Sequence, residues 1–170
     1  MKRISLLILV FVLLIVTGFQ EDNKKERKAK QQLEMAQLLQ NGRFRFVARS
    51  ANSELGNFTN LATNYDLVFD SLQLKAFLPY YGQAYSVPYG GSGGVHFDLK
   101  AEQIDKKWNE RKKLFVISTN LSDSQDSYSI YLTAGLSGYA DLKINFRNRR
   151  WISYYGTIEK IESASYVTGD

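Results

Sequence analysis

The chain has 170 residues, a formal net charge of +5 and no cysteine. Without cysteine we expect neither disulfides nor a lipid anchor, so a hydrophobic core has to stabilise the fold. Aromatic residues make up 14% of the chain and supply large side chains for that core, and the length predicts one domain.

The first 20 residues have the three-part layout of a secretory signal peptide. Lys2 and Arg3 precede an apolar run, Leu6–Val16, and a strongly charged segment follows. The run is well short of the ~20 residues that a membrane-spanning helix needs. We therefore predict a signal peptide over residues 1–20 and a domain exported to the periplasm or secreted. The residues before the cleavage point are not small, so an uncleaved leader that tethers the domain to the membrane is the alternative.

Residues 21–41 are predicted to form a charged N-terminal helix. They are helix formers without Gly or Pro, and Asn41-Gly42 is a typical stop. An apolar stripe at helical spacing predicts that the last turns dock on the domain; its members are Ala29, Leu33, Ala36 and Leu39. The run Lys24–Lys30 is interpreted as a solvated helix face, with attraction to an anionic membrane surface as the alternative.

Alternation of apolar and polar residues predicts a β-rich domain over residues 42–165. Two strands that flank a tight turn at Asp70-Ser71 are expected to form a hairpin. Later strands, separated by turn formers, are predicted over residues 114–120, 128–134, 139–146 and 151–161. In Ala101–Lys112, the spacing of Ile104 and Trp108 favours a helical turn with both side chains facing inward. The predicted fold is mainly β (α+β), an antiparallel sandwich or barrel-like sheet preceded by an N-terminal helix.

The most specific stretch is Pro79–Asp98, which holds four tyrosines, both prolines and five of the twelve glycines. Its pieces Pro-Tyr-Tyr-Gly-Gln-Ala-Tyr and Pro-Tyr-Gly-Gly-Ser-Gly-Gly resemble the central motif of exported bacterial proteins grouped as domain of unknown function 4251. The resemblance extends over roughly residues 30 to 160 and includes Gly42–Phe46, Leu61–Leu67 and Trp151–Ile158. Many relatives look like lipoproteins with a cysteine at the end of the leader, and this chain departs from that pattern. The resemblance supplies no catalytic residues.

Four residues in or next to this motif are the candidate ligand-binding residues: Tyr81, Tyr85, Tyr89 and His96. Tyrosine combines a flat apolar face with a hydroxyl and is favoured at recognition surfaces, although packing in a β domain accounts for the same tyrosines. His96 is the single histidine of the chain, which excludes a metal site with two histidine ligands. It alternates with two apolar neighbours, so its side chain is expected to point away from the core.

Three other patterns are less specific indications of a functional site. The glycine-rich turn lacks the Lys-Ser or Lys-Thr pair of a phosphate-binding loop. Asp98, Glu102 and Asp105 offer carboxylates for acid-base work on a glycan, but acids are common on protein surfaces. Basic residues at a predicted hairpin tip are interpreted as solubilising, with an anion site as the alternative; they are Arg147, Arg149 and Arg150, next to Trp151.

These patterns predict an exported, non-enzymatic binding module of the cell envelope that recognises a protein or a small ligand. The alternatives are a carboxylate-dependent hydrolase acting on envelope or dietary glycan, and a purely structural envelope protein. We expect no cofactor and no metal. Export separates the domain from nucleic acid, so no nucleic-acid partner is expected, and membrane contact is expected only through an uncleaved leader.

Overall fold

The computed structural model describes residues 24–62, 65–82, 94–124 and 126–161. These ranges contain one helix, α1 over residues 24–41, and ten strands. The strands are β1 Arg43–Ser53, β2 Phe58–Asn60, β3 Asp66–Asp70, β4 Gln73–Pro79, β5 Gly94–Lys100, β6 Asp105–Asn109, β7 Leu114–Ser122, β8 Ser127–Gly135, β9 Tyr139–Phe146 and β10 Ile152–Glu159. The predicted signal peptide and the middle of the glycine-rich stretch, residues 83–93, lie outside the described residues.

All ten strands belong to one antiparallel sheet. Its order is β5-β4-β3-β1-β10-β9-β8-β7-β6, and β2 pairs with β1 beside this path. The edge strands β5 and β6 are consecutive in the chain, and the link over residues 101–104 spans no more than about 17 Å. The sheet therefore curls until its two ends approach, and Phe97 of β5 packs on Tyr128 of β8 with ring centroids 4.8 Å apart. The predicted fold class is confirmed, with the curled, barrel-like sheet as the arrangement formed.

The core lies on the inner face of the curled sheet. Alternate residues of β1, β3, β4, β8, β9 and β10 are buried there, as period-two patterning requires. The largest fully buried side chains in the described ranges include Phe44, Phe46, Phe69 and Tyr154. Phe44 and Phe69 face each other across β1 and β3 with ring centroids 4.7 Å apart. The centre of the core is therefore formed by aromatic rings from the first half of the sheet.

The helix α1 docks on the sheet through its C-terminal half. Leu39 is fully buried, and Met35 and Leu38 are half-buried against the core. The predicted stripe is wrong at Leu33, which is 60% exposed because it lies on the side of the helix opposite Met35. The helix ends as predicted: Gly42 has a left-handed φ of 72°, and its N–H donates to the carbonyl of Leu38 at 3.2 Å. Within the described ranges, no helix combines the length and the hydropathy needed to cross a membrane.

Residues 101–112 contain a strand where a helical turn was predicted. β6 pairs with β7, and Trp108 lies opposite Phe115 with ring centroids 5.0 Å apart. A spacing of four residues fits period two as well as a helix, so Ile104 and Trp108 share a face in either structure. The segment is a strand because it pairs with β7, and the spacing of apolar residues carries no information about that pairing.

Candidate functional site

The two ends of the glycine- and tyrosine-rich stretch meet in the sheet. β4 and β5 are antiparallel neighbours, and Pro79 at the end of β4 pairs with Gly94 at the start of β5. A Cβ at residue 94 would lie 2.7 Å from Cε1 of His96 and 2.9 Å from the carbonyl oxygen of Leu78. Only glycine allows such a close approach, which is a recurrent reason for glycine within a strand.

An aromatic row lies on the outer face of the sheet beside these two ends. It consists of Tyr65, Phe77 and His96, and we call it the outer aromatic row. The rings of Phe77 and His96 stack with centroids 4.7 Å apart and an interplanar angle of 15°. Tyr65 covers the other side of Phe77 at 5.7 Å. The stack follows from the register, because Phe77 and His96 are directly paired across β4 and β5.

The outer aromatic row is half exposed and has a charged rim. Phe77 keeps 50% of its surface exposed. Lys75 and Asp98 are paired on the same face, with Nζ and Oδ2 3.9 Å apart. Asp66 lies opposite Phe77, and partial burial raises the pKa of its carboxyl, while the positive charges of Arg45 and Lys75 oppose that shift. An apolar centre with a polar rim is the anatomy of a protein-binding surface.

Two of the four predicted site residues lie in the described ranges. His96 is exposed while its neighbours are buried, as the alternation predicted. Tyr81 is 42% exposed and lies two residues beyond the end of β4. Tyr85 and Tyr89 lie outside the described residues. The structure therefore places both described candidates at the ends of the same stretch.

Sequence reasoning missed Phe77 and Tyr65. The alternation of β4 carries the signal for Phe77, because Ala76 and Leu78 are buried and the residue between them has to point outward. A phenylalanine at an outward position is worth noticing. Tyr65 carries no such signal, since it precedes β3 and reaches Phe77 only through the pairing of β3 with β4.

A buried ion pair joins Asp126 to Arg149. Nε of Arg149 lies 3.3 Å from Oδ2 of Asp126, and the two side chains are 17% and 6% exposed. The other carboxylate oxygen accepts hydrogen bonds from the backbone N–H groups of Ser127, Arg147 and Asn148 at 2.9, 3.2 and 3.3 Å. The interpretation of Arg149 as part of an exposed basic tip is therefore wrong, because this carboxylate draws the guanidinium inward.

Arg149 also holds the start of β5. Its Nη1 donates to the carbonyl of Gly94 at 3.0 Å, and its guanidinium lies over the rings of Phe146 and Tyr80, 4.6 and 5.1 Å from their centroids. The hydroxyl of Tyr80 donates to the carbonyl of Arg150 at 2.9 Å. Both ends of the glycine-rich stretch are thus fastened to the segment that joins β9 to β10.

The hydroxyl of buried Tyr154 fastens the end of β4, donating to the carbonyl of Pro79 at 2.7 Å. Burial raises the pKa of Tyr154 well above its ordinary value; the hydroxyls of Tyr80 and Tyr81 add to this shift and the charge of Arg149 opposes it. The neutral hydroxyl is therefore the form that the fold holds.

Tyr128 contributes a second buried hydroxyl beside the ion pair. It donates to Oδ2 of Asp123 at 3.1 Å, and Oδ1 of Asp123 accepts the backbone N–H of Asp126 at 2.8 Å. Burial raises the pKa of Tyr128 to about 12, and the negative charge of Asp123 adds to the shift. Because these polar groups satisfy one another, the network is suited to holding the chain in place.

The three acids considered for hydrolysis are all exposed: Asp98, Glu102 and Asp105. Asp98 accepts a hydrogen bond from Nε2 of Gln73 at 2.6 Å, and Asp105 accepts one from Nε2 of Gln103 at 2.7 Å. Paired-carboxylate hydrolysis needs two acids held on either side of a bound sugar, and exposed side chains of this kind are not held so. Across the part of the chain that the structure describes, no group of three or more His, Asp or Glu is arranged to hold a metal.

A groove with a volume of about 510 Å³ lies between α1 and the sheet. Its apolar lining comes from Met35, Leu38, Leu136 and Ile158, and its charged residues are Lys28, Glu34 and Lys160. The groove is formed where the helix leaves the sheet, since Leu38 and Leu39 are packed on the core and residues 24–31 are exposed. It contains none of the predicted site residues.

Comparison with known proteins gives a family and a fold. A family model described as domain of unknown function (DUF4251) matches residues 26–158. The structure is similar to the crystal structure of a DUF4251 family protein from Bacteroides eggerthii DSM 20697, with a TM-score of 0.60 and 17% sequence identity. The match covers 78% of this chain and 89% of that chain. Among curated proteins, none matches.

Proposed function

The chain belongs to the DUF4251 family, and from this premise we propose that it is an exported, non-enzymatic binding module whose recognition surface is the outer aromatic row. One observation carries the proposal: Phe77 stays half exposed while Tyr65 and His96 stack against it. Folding does not bury this apolar surface, and a partner would. Tyr81, two residues beyond the end of β4, is a further exposed aromatic residue of this part of the chain.

The partner is a protein rather than a sugar. A sugar ring stacks on an open aromatic face, and the rings of Tyr65 and His96 already stack on Phe77. What the row presents is a ridge of ring edges beside the charged pair Lys75 and Asp98, whose side chains are 69% and 57% exposed. A ridge of this kind fits an apolar pocket in another protein, with ion pairs at the rim.

Export rests on the N-terminal sequence. The leader-like residues 1–20 direct the domain out of the cytoplasm, and the lack of cysteine excludes attachment as a lipoprotein. The module then works in the periplasm or outside the cell. Its partner is accordingly an envelope or secreted protein.

The test is crosslinking in cells followed by measured binding. A photoreactive amino acid at His96 is expected to capture a recurrent envelope protein, and the same amino acid at Tyr131, an exposed outer-face position of β8, is not. With the purified partner, Phe77→Ser is expected to weaken binding roughly 30-fold, as loss of an interface hot spot does. The free energy of unfolding should change by less than about 1 kcal/mol, because Phe77 is half exposed.

Tyr131→Ser is the matched control, since it removes an aromatic side chain of similar exposure from a distant strand. A partner captured equally at both positions would contradict the proposal, and so would equal binding by the two serine variants. If neither position captures a protein, a purely structural role remains.

A further inference from the structure

The excess positive charge of the chain is concentrated in residues 24–30 of α1. These residues include five basic residues and one acidic residue, and two acidic residues, Glu21 and Asp22, precede them. Residues 31–170 contain 15 basic and 14 acidic residues and are almost neutral. A domain that needed charge only for solubility would carry it on all sides, so this distribution calls for a separate explanation.

These basic residues are not used by the fold. Every residue from 24 to 31 is exposed, and none of the five basic side chains forms an ion pair with another described residue. The groove beside α1 includes Lys28 alone among them. The docking of the helix depends on Met35, Leu38 and Leu39, which lie beyond the basic run.

The basic run also opposes helix formation. Lys24 and Lys28 are four residues apart, and like charges at this spacing repel. Glu26 and Lys30 are the one oppositely charged pair of the run at the same spacing. Helix stability therefore does not explain the five basic side chains of residues 24–30, and attraction to a negatively charged partner does.

We propose that residues 24–30 of α1 bind the surface of an anionic phospholipid membrane. Clusters of Lys and Arg beside an apolar segment are typical of such contacts, and here the apolar run Leu6–Val16 precedes the cluster in the sequence. The contact holds the exported domain at the membrane surface even when the leader is removed. The proposal thus takes up membrane attraction, the alternative to a solvated helix face.

The test uses residues 21–170, which contain every described helix and strand. We expect this chain to sediment with phosphatidylcholine vesicles that contain ~25% phosphatidylglycerol and not with pure phosphatidylcholine vesicles, and to be released by salt. The double variant Arg27→Gln and Lys30→Gln is expected to bind roughly 25-fold more weakly, because each basic residue at an anionic surface contributes about fivefold. Gln is a good helix former, so circular dichroism should be unchanged.

The matched control is Arg111→Gln with Lys112→Gln, which removes the same charge from the exposed turn between β6 and β7. It is expected to bind like the parent chain. Equal weakening by both double variants would overturn the proposal, since only net charge would then matter. Sedimentation that ignores phosphatidylglycerol would overturn it too. So would retention of a single-stranded oligonucleotide without any vesicle binding, which would make nucleic acid the partner.

Discussion

Two ion pairs show how burial decides what a single residue contributes. Nε of Arg43 lies 2.8 Å from Oδ1 of Asp70, closer than the 3.3 Å that separates Arg149 from Asp126. The shorter pair is more than half exposed on both sides, so water and salt screen it. The longer pair is buried, and the loss of one partner leaves a charge without compensation. The longer pair is therefore the one on which the fold depends.

We predict that Asp126→Ala lowers the free energy of unfolding by about 3–5 kcal/mol, because Arg149 stays buried without its partner. Asp70→Ala, the exposed control, should lower it by less than about 1 kcal/mol. Urea unfolding at neutral pH measures both. The double variant Asp126→Ala with Arg149→Met should regain part of the loss. An Asp126→Ala variant as stable as Asp70→Ala would show that the buried pair does not fasten the stretch.

At the scale of elements, β1 and β10 approach each other closely at one glycine. These strands are distant in the sequence, and their register includes an irregularity between Ala48 and Ser50. Gly156 pairs with Ala48 at this point, and a Cβ there would collide with the carbonyl oxygen of Val47. Because the obstacle is backbone, it cannot turn away as a side chain could. The two strands can approach here only because residue 156 has no side chain.

Gly156→Ala is therefore expected to destabilise the protein by about 1–3 kcal/mol, the usual range for overpacking. Gly135→Ala is the control, because a Cβ at the end of β8 would meet its nearest atom at an ordinary 3.5 Å, the Oγ of Ser137. That change should stay within about 0.5 kcal/mol of the parent. The measurement is thermal unfolding of the two variants side by side, and their midpoints are compared. Equal midpoints would mean that β1 and β10 can move apart at no cost.

At the scale of the whole molecule, the buried tyrosines make stability depend on alkaline pH. The pKa of Tyr128 is about 12 in the folded chain against an ordinary value of 10, and that of Tyr154 is raised as well. Between about pH 10 and 12 the unfolded chain loses the hydroxyl proton of Tyr128 and the folded chain keeps it. Stability from both groups is therefore complete below about pH 10 and is lost as the pH rises toward 12.

The free energy of unfolding should accordingly fall steeply between about pH 10 and 12. Tyr128→Phe keeps the ring but cannot ionise, so its curve should fall less steeply over the same range. Urea titrations at a series of pH values give both curves. Parallel curves would show that the pKa of Tyr128 is the same in the folded and the unfolded chain, which would contradict the prediction.

The sequence predicts well which face of a strand is buried and where the chain turns. It predicts poorly which strands pair with each other. Phe44 and Phe46 alternate with polar residues and are buried, and the turn after Asp70 holds Ser71 in the left-handed region with a φ of 57°. Such features depend on neighbours in the chain. The pairing of β1 with β10 depends on residues more than a hundred positions apart, and period two fixes a face without naming a partner.

The candidate site shows the same difference between features set by neighbouring residues and features set by strand pairing. His96 was predicted to point outward because its neighbours in the chain are apolar, whereas the stack with Phe77 needs the register of β4 and β5. Asp126 and Arg149 both occur in segments rich in turn formers, and each alone indicates a solvated loop. Their burial is a property of the pair, since neither charge would enter the interior without the other.

The gap between the two edge strands has a mechanical consequence. Every pair of neighbours from β5 round to β6 is joined by a backbone ladder, but in the described residues no ladder joins β5 to β6. The sheet is a split ring, closed by side chains such as Phe97 and Arg149. Its circumference can therefore widen or tighten at one line while all interstrand hydrogen bonds stay intact, and the glycine-rich stretch leads into β5, one of the two edges at that line.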